Sequence, residues 1–127
     1  MNDEAWFKID ATVNHLRVES FGQRSQKASE EMWRAVSEAS AESGINKILL
    51  LSYRDGSLPV NVMLAMAQNI HVLFTSAHKI AMVFSASDFP RESVAETVSR
   101  IGGLNLRAFK RSEEALEWLL SDDERGA

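Results

Sequence analysis

The segment Lys47-Ile48-Leu49-Leu50-Leu51-Ser52-Tyr53 is apolar over most of its length and runs into a polar turn, Arg54-Asp55-Gly56-Ser57. From about Leu58 to Phe74 the sequence then has few polar residues. This pairing is typical of a buried strand that leads into a buried helix, which is half of a βαβ unit. The turn would lie at the carboxyl end of a strand, where open α/β sheets bind their ligands.

Two shorter segments near the start of the chain alternate between apolar and polar residues. They are Trp6–Asp10 and His15–Ser20, and their short link predicts an antiparallel hairpin. Two further strands are predicted at Lys79–Phe84, which is apolar on both faces as in a parallel sheet, and at Leu104–Phe109. Helical patterns follow the hairpin and each later strand, so the predicted order is β-β-α-β-α-β-α-β-α.

This order predicts an α/β fold: a two-layer βα superhelix with a mixed, mainly parallel sheet, an N-terminal hairpin and four helices. We expect one domain over residues 1–122 and a disordered tail over residues 123–127.

Several helix ends carry capping signals. Ser25 or Ser29 could cap the first helix, and the pattern does not distinguish them; Gly44 would end it with a positive φ. Ser87 or Asp88 would cap the third helix, with Pro90 in its first turn and an apolar face formed by Val94, Val98 and Ile101. Ser112 is predicted to cap the fourth helix.

The composition excludes several classes of protein. The chain has 127 residues, 45% of them apolar, with a net charge of −4 and no cysteine. Disulfides and cysteine metal sites are therefore absent, and no dense basic patch favours nucleic acid. No segment reaches the roughly 20 apolar residues that span a bilayer. These features favour a cytoplasmic protein.

Four stretches resemble the SpoIIAA-like family, small bacterial proteins grouped with STAS domains and the CRAL-TRIO lipid-carrier fold. The resemblance implies a sheet with helices mainly on one face and a regulatory, non-catalytic role. The stretches are Phe21-Gly22 ahead of Ser29-Glu30-Glu31, Ile48 to Ser52, His78 to Val83, and Leu106 to Phe109 followed by Glu113 to Leu119.

The resemblance also draws attention to the turn after the central strand, where STAS-type anti-sigma-factor antagonists carry a phosphorylatable serine. The turn here reads Asp55-Gly56-Ser57-Leu58-Pro59, without the Asp-Ser-Ser-Gly-Leu order of those proteins. Ser57 is either such a phospho-acceptor or a plain helix cap. The candidate phospho-acceptor and turn contacts are Asp55, Gly56, Ser57 and Asn61.

The helix Leu58–Phe74 has an apolar arc of roughly 200°, against the ~100° stripe that a surface helix needs. The surplus predicts a homodimer face, a pocket for an apolar ligand, or packing within the domain. The residues concerned are Val62, Met63, Met66, Ile70, Leu73 and Phe74.

No catalytic or metal-binding set is apparent. The three histidines are scattered, and acidic pairs such as Glu113 and Glu114 are interpreted as helix-end charges. We therefore expect no enzyme and no cofactor. The expected function is a protein-interaction or regulatory module, homodimeric and bacterial; the alternative is a carrier of a lipid or another apolar small molecule.

Overall fold

The computed structural model describes residues 5–92, 96–97, 100 and 102–121, and shows a five-stranded sheet with helices packed on it. The elements are β1 Trp6–Ala11, β2 Leu16–Gln23, α1 Gln26–Ser43, β3 Lys47–Asp55, α2 Val60–Leu73, β4 Lys79–Val83, α3 Phe89–Glu92, β5 Asn105–Phe109 and α4 Ser112–Leu120.

The strands lie in the sheet in the order of the chain, β1-β2-β3-β4-β5. β1 pairs antiparallel with β2, and every later neighbour pair is parallel. The register places Leu16, Ile48, Ile80 and Leu106 in one row across the sheet, which explains why these four positions are apolar. The predicted α/β fold with an N-terminal hairpin and a mainly parallel sheet is therefore confirmed.

The helices lie mainly on one face of the sheet. α1 and α2 cover the face that carries Val18, Leu50 and Met82, together with Trp33, Val36 and Phe74 from the helices. α4 covers part of the other face, where Ala115 and Leu119 pack on Leu49, Leu51 and Ala81. Because both faces of the sheet are covered at Ile48–Leu51 in β3 and at Ile80–Met82 in β4, all of these positions are apolar.

The helix ends differ in part from prediction. Ser25 caps α1, its hydroxyl accepting a hydrogen bond from the Ala28 N–H at 3.1 Å, and Gly44 ends that helix with φ 77° as expected. The prediction for Ser112 is wrong, because Ser112 is the first residue of α4 and Arg111 holds the cap position without a side-chain hydrogen bond. α2 begins at Val60, after Pro59, so Ser57 does not cap it.

The predicted third helix is described in part. α3 begins at Phe89, directly after Asp88, with Pro90 in its first turn, and residues 96–97 and 100 are also helical. Its predicted apolar face, Val94, Val98 and Ile101, lies outside the described residues, as does the predicted tail over 123–127. Within the described ranges, no helix has the length and apolar character needed to cross a bilayer.

Candidate functional site

A cavity of about 60 Å³ lies between α1, α2 and the carboxyl ends of β2, β3 and β4. A cavity of this volume has room for ordered water or a small ligand group. The polar lining residues are serines and arginines: Ser20, Arg24, Ser29, Ser52 and Arg54. The cavity is at the edge of the sheet where parallel α/β proteins hold their ligands.

Strand alternation brings Arg54 into this cavity. β3 continues two residues past Tyr53, the end predicted from the sequence, and reaches Asp55. Residues two apart on a strand share a face, so Arg54 lies on the same side as Leu50 and Ser52. All three line the cavity, and Arg54 is only 6% exposed.

Few hydrogen-bond acceptors or negative groups compensate the positive charge of the Arg54 guanidinium. Its Nε donates to the Phe21 carbonyl oxygen at 3.3 Å. Across the described residues, no carboxylate oxygen lies within 4.0 Å of the group. Burial lowers the pKa of Arg54, and the charge of Arg24 lowers it further. The second arginine therefore adds repulsion to a charge that burial already disfavours.

Arg24 fixes the end of β3 beside the cavity. Its backbone N–H donates to the Asp55 carbonyl at 2.7 Å, and its Nη2 donates to the Arg54 carbonyl at 3.1 Å. Its Nη1 donates to the carbonyl of Gly56, whose φ of 96° is a conformation that favours glycine. Asp88 approaches the Arg24 guanidinium at 3.6 Å. These contacts hold the end of β3 and the Arg24 guanidinium in place.

Two buried hydroxyls face the same cavity. Ser20 in β2 is 1% exposed and Ser29 in α1 is 6% exposed. Neither hydroxyl has a hydrogen-bond partner in the part of the chain that the structure describes. Buried polar groups are normally hydrogen-bonded, so such groups around one cavity indicate a bound water, ion or ligand group.

The arrangement suits an anion. Guanidinium N–H groups and hydroxyls donate to oxygen acceptors, and arginine pairs well with carboxylates and phosphates. The N-terminal turn of α1, which contains Ser29, adds a partial positive charge. Among the described residues that line the cavity there is no His, Lys, Asp or Glu.

The remaining lining is apolar. Four of the five methionines in the chain contribute to it, from α1, α2 and β4. The apolar residues are Met32, Trp33, Leu50, Met63, Met66, Ala67, Ile70, Met82 and Phe84. One cavity therefore combines cationic and apolar walls.

The residues predicted for an interface or pocket fall into three groups. Met63, Met66 and Ile70 line the cavity. Phe74 is buried in the core, where its ring meets Trp33 edge-on at 5.7 Å. Val62 and Leu73 are half-buried.

The predicted turn residues lie beside the cavity and do not line it. Asp55, Gly56, Ser57 and Asn61 are exposed. Asp55 and Gly56 contribute their backbone carbonyls, which Arg24 holds. Ser57 follows directly and has no side-chain hydrogen bond within the described ranges.

The sequence interpretation missed Arg24, Arg54, Ser20 and Ser29 as site residues. Arg54 was assigned to a turn because polar residues follow it. The useful signal was the two-residue period through Leu50, Ser52 and Arg54, which places the arginine on the buried face.

The other face of the sheet carries an exposed row of stacked aromatic rings on β1, β2 and β3. The Trp6 and Phe21 ring centroids are 4.2 Å apart, and those of Phe21 and Tyr53 are 5.3 Å apart. Trp6 and Tyr53 are each more than half exposed. We call these three residues the aromatic row.

No protein-family model and no curated protein matches the chain. Among solved structures it is similar to "Structure of the Anti-Sigma Factor Antagonist SpoIIAA in its Unphosphorylated Form", with a TM-score of 0.47 and 16% sequence identity over 89% of this chain and 95% of that chain.

Proposed function

We propose that the chain is a non-catalytic, regulatory binding module that holds an anionic small molecule in the cavity between α1, α2 and the sheet. The observation that carries the proposal is the buried Arg54 guanidinium, for which the described residues supply no carboxylate. Buried charges in proteins are paired, because an uncompensated charge in a dry site is strongly unfavourable. A bound anion would complete this site.

The hydrogen-bond donors and the two arginines would have different roles in binding the anion. Arg54 would supply charge and directed N–H groups, while Ser20 and Ser29 would donate their hydroxyl hydrogens. Arg24 would position the end of β3 and add long-range attraction. The absence of cysteine fits the cytoplasm as the site of action.

Melting temperatures with and without an anion test this function. We expect sodium phosphate or sodium acetate to raise the melting temperature of the full chain above that in sodium chloride of equal ionic strength. A ligand that binds only the folded state stabilises it by about 2.7 kcal/mol at a hundred times its Kd. Neither salt should stabilise Arg54→Met, while Arg34→Met, which removes an exposed arginine of α1, should respond like the wild type.

Arg54→Met should fold, since it replaces an uncompensated buried charge with an apolar side chain. Circular dichroism in the near ultraviolet can check this. If neither phosphate nor acetate stabilises the wild type, or if both stabilise Arg54→Met equally, the proposed function is wrong.

A second candidate function is self-association through the aromatic row. Large exposed apolar surfaces in monomers often mark interaction sites. The same sheet face carries Lys8, Arg17 and Glu19, linked by ion pairs of 3.3 and 3.4 Å. Charges of both signs beside an apolar row suit contact with a second copy, because a two-fold interface must be complementary to itself. Light scattering tests this, and a strict monomer at high micromolar concentration would exclude it.

A further inference from the structure

The apolar wall of the cavity indicates what kind of anion it takes. Met32, Met63, Met66 and Met82 surround it, and the only other methionine of the chain is Met1. A well-specified core uses methionine sparingly, because the side chain is too flexible to define one packing. Four methionines around one cavity therefore suggest a surface that adapts its shape to a bound ligand.

The size of the cavity also indicates that the methionine wall adapts to its ligand. Its volume of about 60 Å³ suits a compact head group and leaves no room for a long tail. Methionine side chains have several rotatable bonds and move between staggered conformers with little strain. Met66 is half-buried, so the methionine wall extends to the protein surface. A tail could enter by displacing these side chains.

A simpler ligand would explain only one of the two walls of the cavity. A small inorganic anion would compensate Arg54 but make no use of the methionines. A neutral apolar molecule would fill the methionine wall and leave the buried cation and the hydroxyls of Ser20 and Ser29 without acceptors. A molecule with both an anionic and an apolar part satisfies the whole lining.

We propose that the ligand is an amphiphilic anion, with a carboxylate or phosphate-monoester head held by Arg54 and an unbranched apolar chain lying against the methionines. This inference rests on the proposed function, because the head needs the anion site. The two head groups share the chemistry that arginine recognises, an oxyanion that accepts paired N–H donors.

Titration calorimetry with two homologous series tests the inference. One series runs from acetate to octanoate as sodium salts, the other from methyl to octyl phosphate, each below its critical micelle concentration. Burial of each methylene contributes about 0.8 kcal/mol, so Kd should fall about fourfold for each added carbon until the wall is covered. At equal chain length, the series with the lower Kd identifies the head group.

A matched pair of variants on α2 separates the tail contact from the head contact. Met66→Gln keeps a similar side-chain length but makes the wall polar, so we expect the gain per carbon to shrink while the shortest ligands bind as before. Leu64→Gln is the control, because Leu64 is exposed and does not line the cavity. It should behave like the wild type.

The outcomes distinguish this inference from the proposed function. If acetate or phosphate binds through Arg54 but longer chains bind no more tightly, the amphiphilic ligand is wrong and the anion site stands. If no member of either series binds, both are wrong. If Arg54→Met retains the full affinity for the long chains, the site is purely apolar, and the inference is again wrong.

Discussion

At the scale of single residues, Arg54 decides the chemistry of the site. Its position in the strand buries it, and no carboxylate among the described residues compensates its positive charge. The sequence showed an arginine beside an aspartate and a glycine, a common turn composition. Because β3 extends to Asp55, the two-residue period through Leu50 and Ser52 continues to Arg54 and turns its side chain inward.

His15 gives a testable prediction at this scale. The residue is 8% exposed, with its Nδ1 at 2.8 Å from Asn14 Oδ1 and 3.0 Å from Thr12 Oγ1. Burial lowers its pKa below the ordinary 6.5, and the charge of Arg17 lowers it further. As pH falls below about 6.5, the unfolded chain takes up the proton first, so the folded state loses stability.

Urea unfolding at pH values of about 7.5 and 5.5 measures this effect. We expect the wild type to lose more unfolding free energy on acidification than His15→Gln, in which the titrating imidazole is absent. The carboxylates are common to both proteins, so their titration affects each alike. Equal losses in the two proteins would contradict the assignment to His15.

At the scale of elements, the helix starts show what local sequence can and cannot predict. Ser25 and Ser29 were equal candidates for the cap of α1, since both are serines ahead of the same pattern. The structure assigns the cap to Ser25 and places Ser29 inside the helix, at the cavity. The choice depends on where β2 ends, and one helix pattern does not contain that information.

The aromatic row gives the prediction for the sheet face. If the row joins two copies, Trp6→Lys should shift the protein toward monomer, because it places a charge in an apolar contact. Val13→Lys is the matched control, since Val13 is 96% exposed on the hairpin and lies outside the row. Light scattering at high micromolar concentration reports the mass. An unchanged dimer mass for Trp6→Lys would rule out this face.

At the scale of the whole molecule, the fold could be predicted because its main signals are local and periodic. Alternation identified the hairpin, and apolar runs on both faces identified β3 and β4 as central parallel strands. The order of strands in the sheet could not be deduced, because it depends on pairing between distant segments. The cavity was equally hidden, since its donors come from three separate elements, β2, α1 and β3.

Whether the cavity binds an anion can be seen in a crystal structure grown in sodium selenate, with anomalous data collected at the selenium edge. Selenate stands in for the oxyanion head of the ligand. We expect an anomalous peak in the cavity, with selenate oxygens about 2.7–2.9 Å from the Arg54 guanidinium nitrogens. A cavity that holds only water while selenate binds elsewhere on the protein would contradict it.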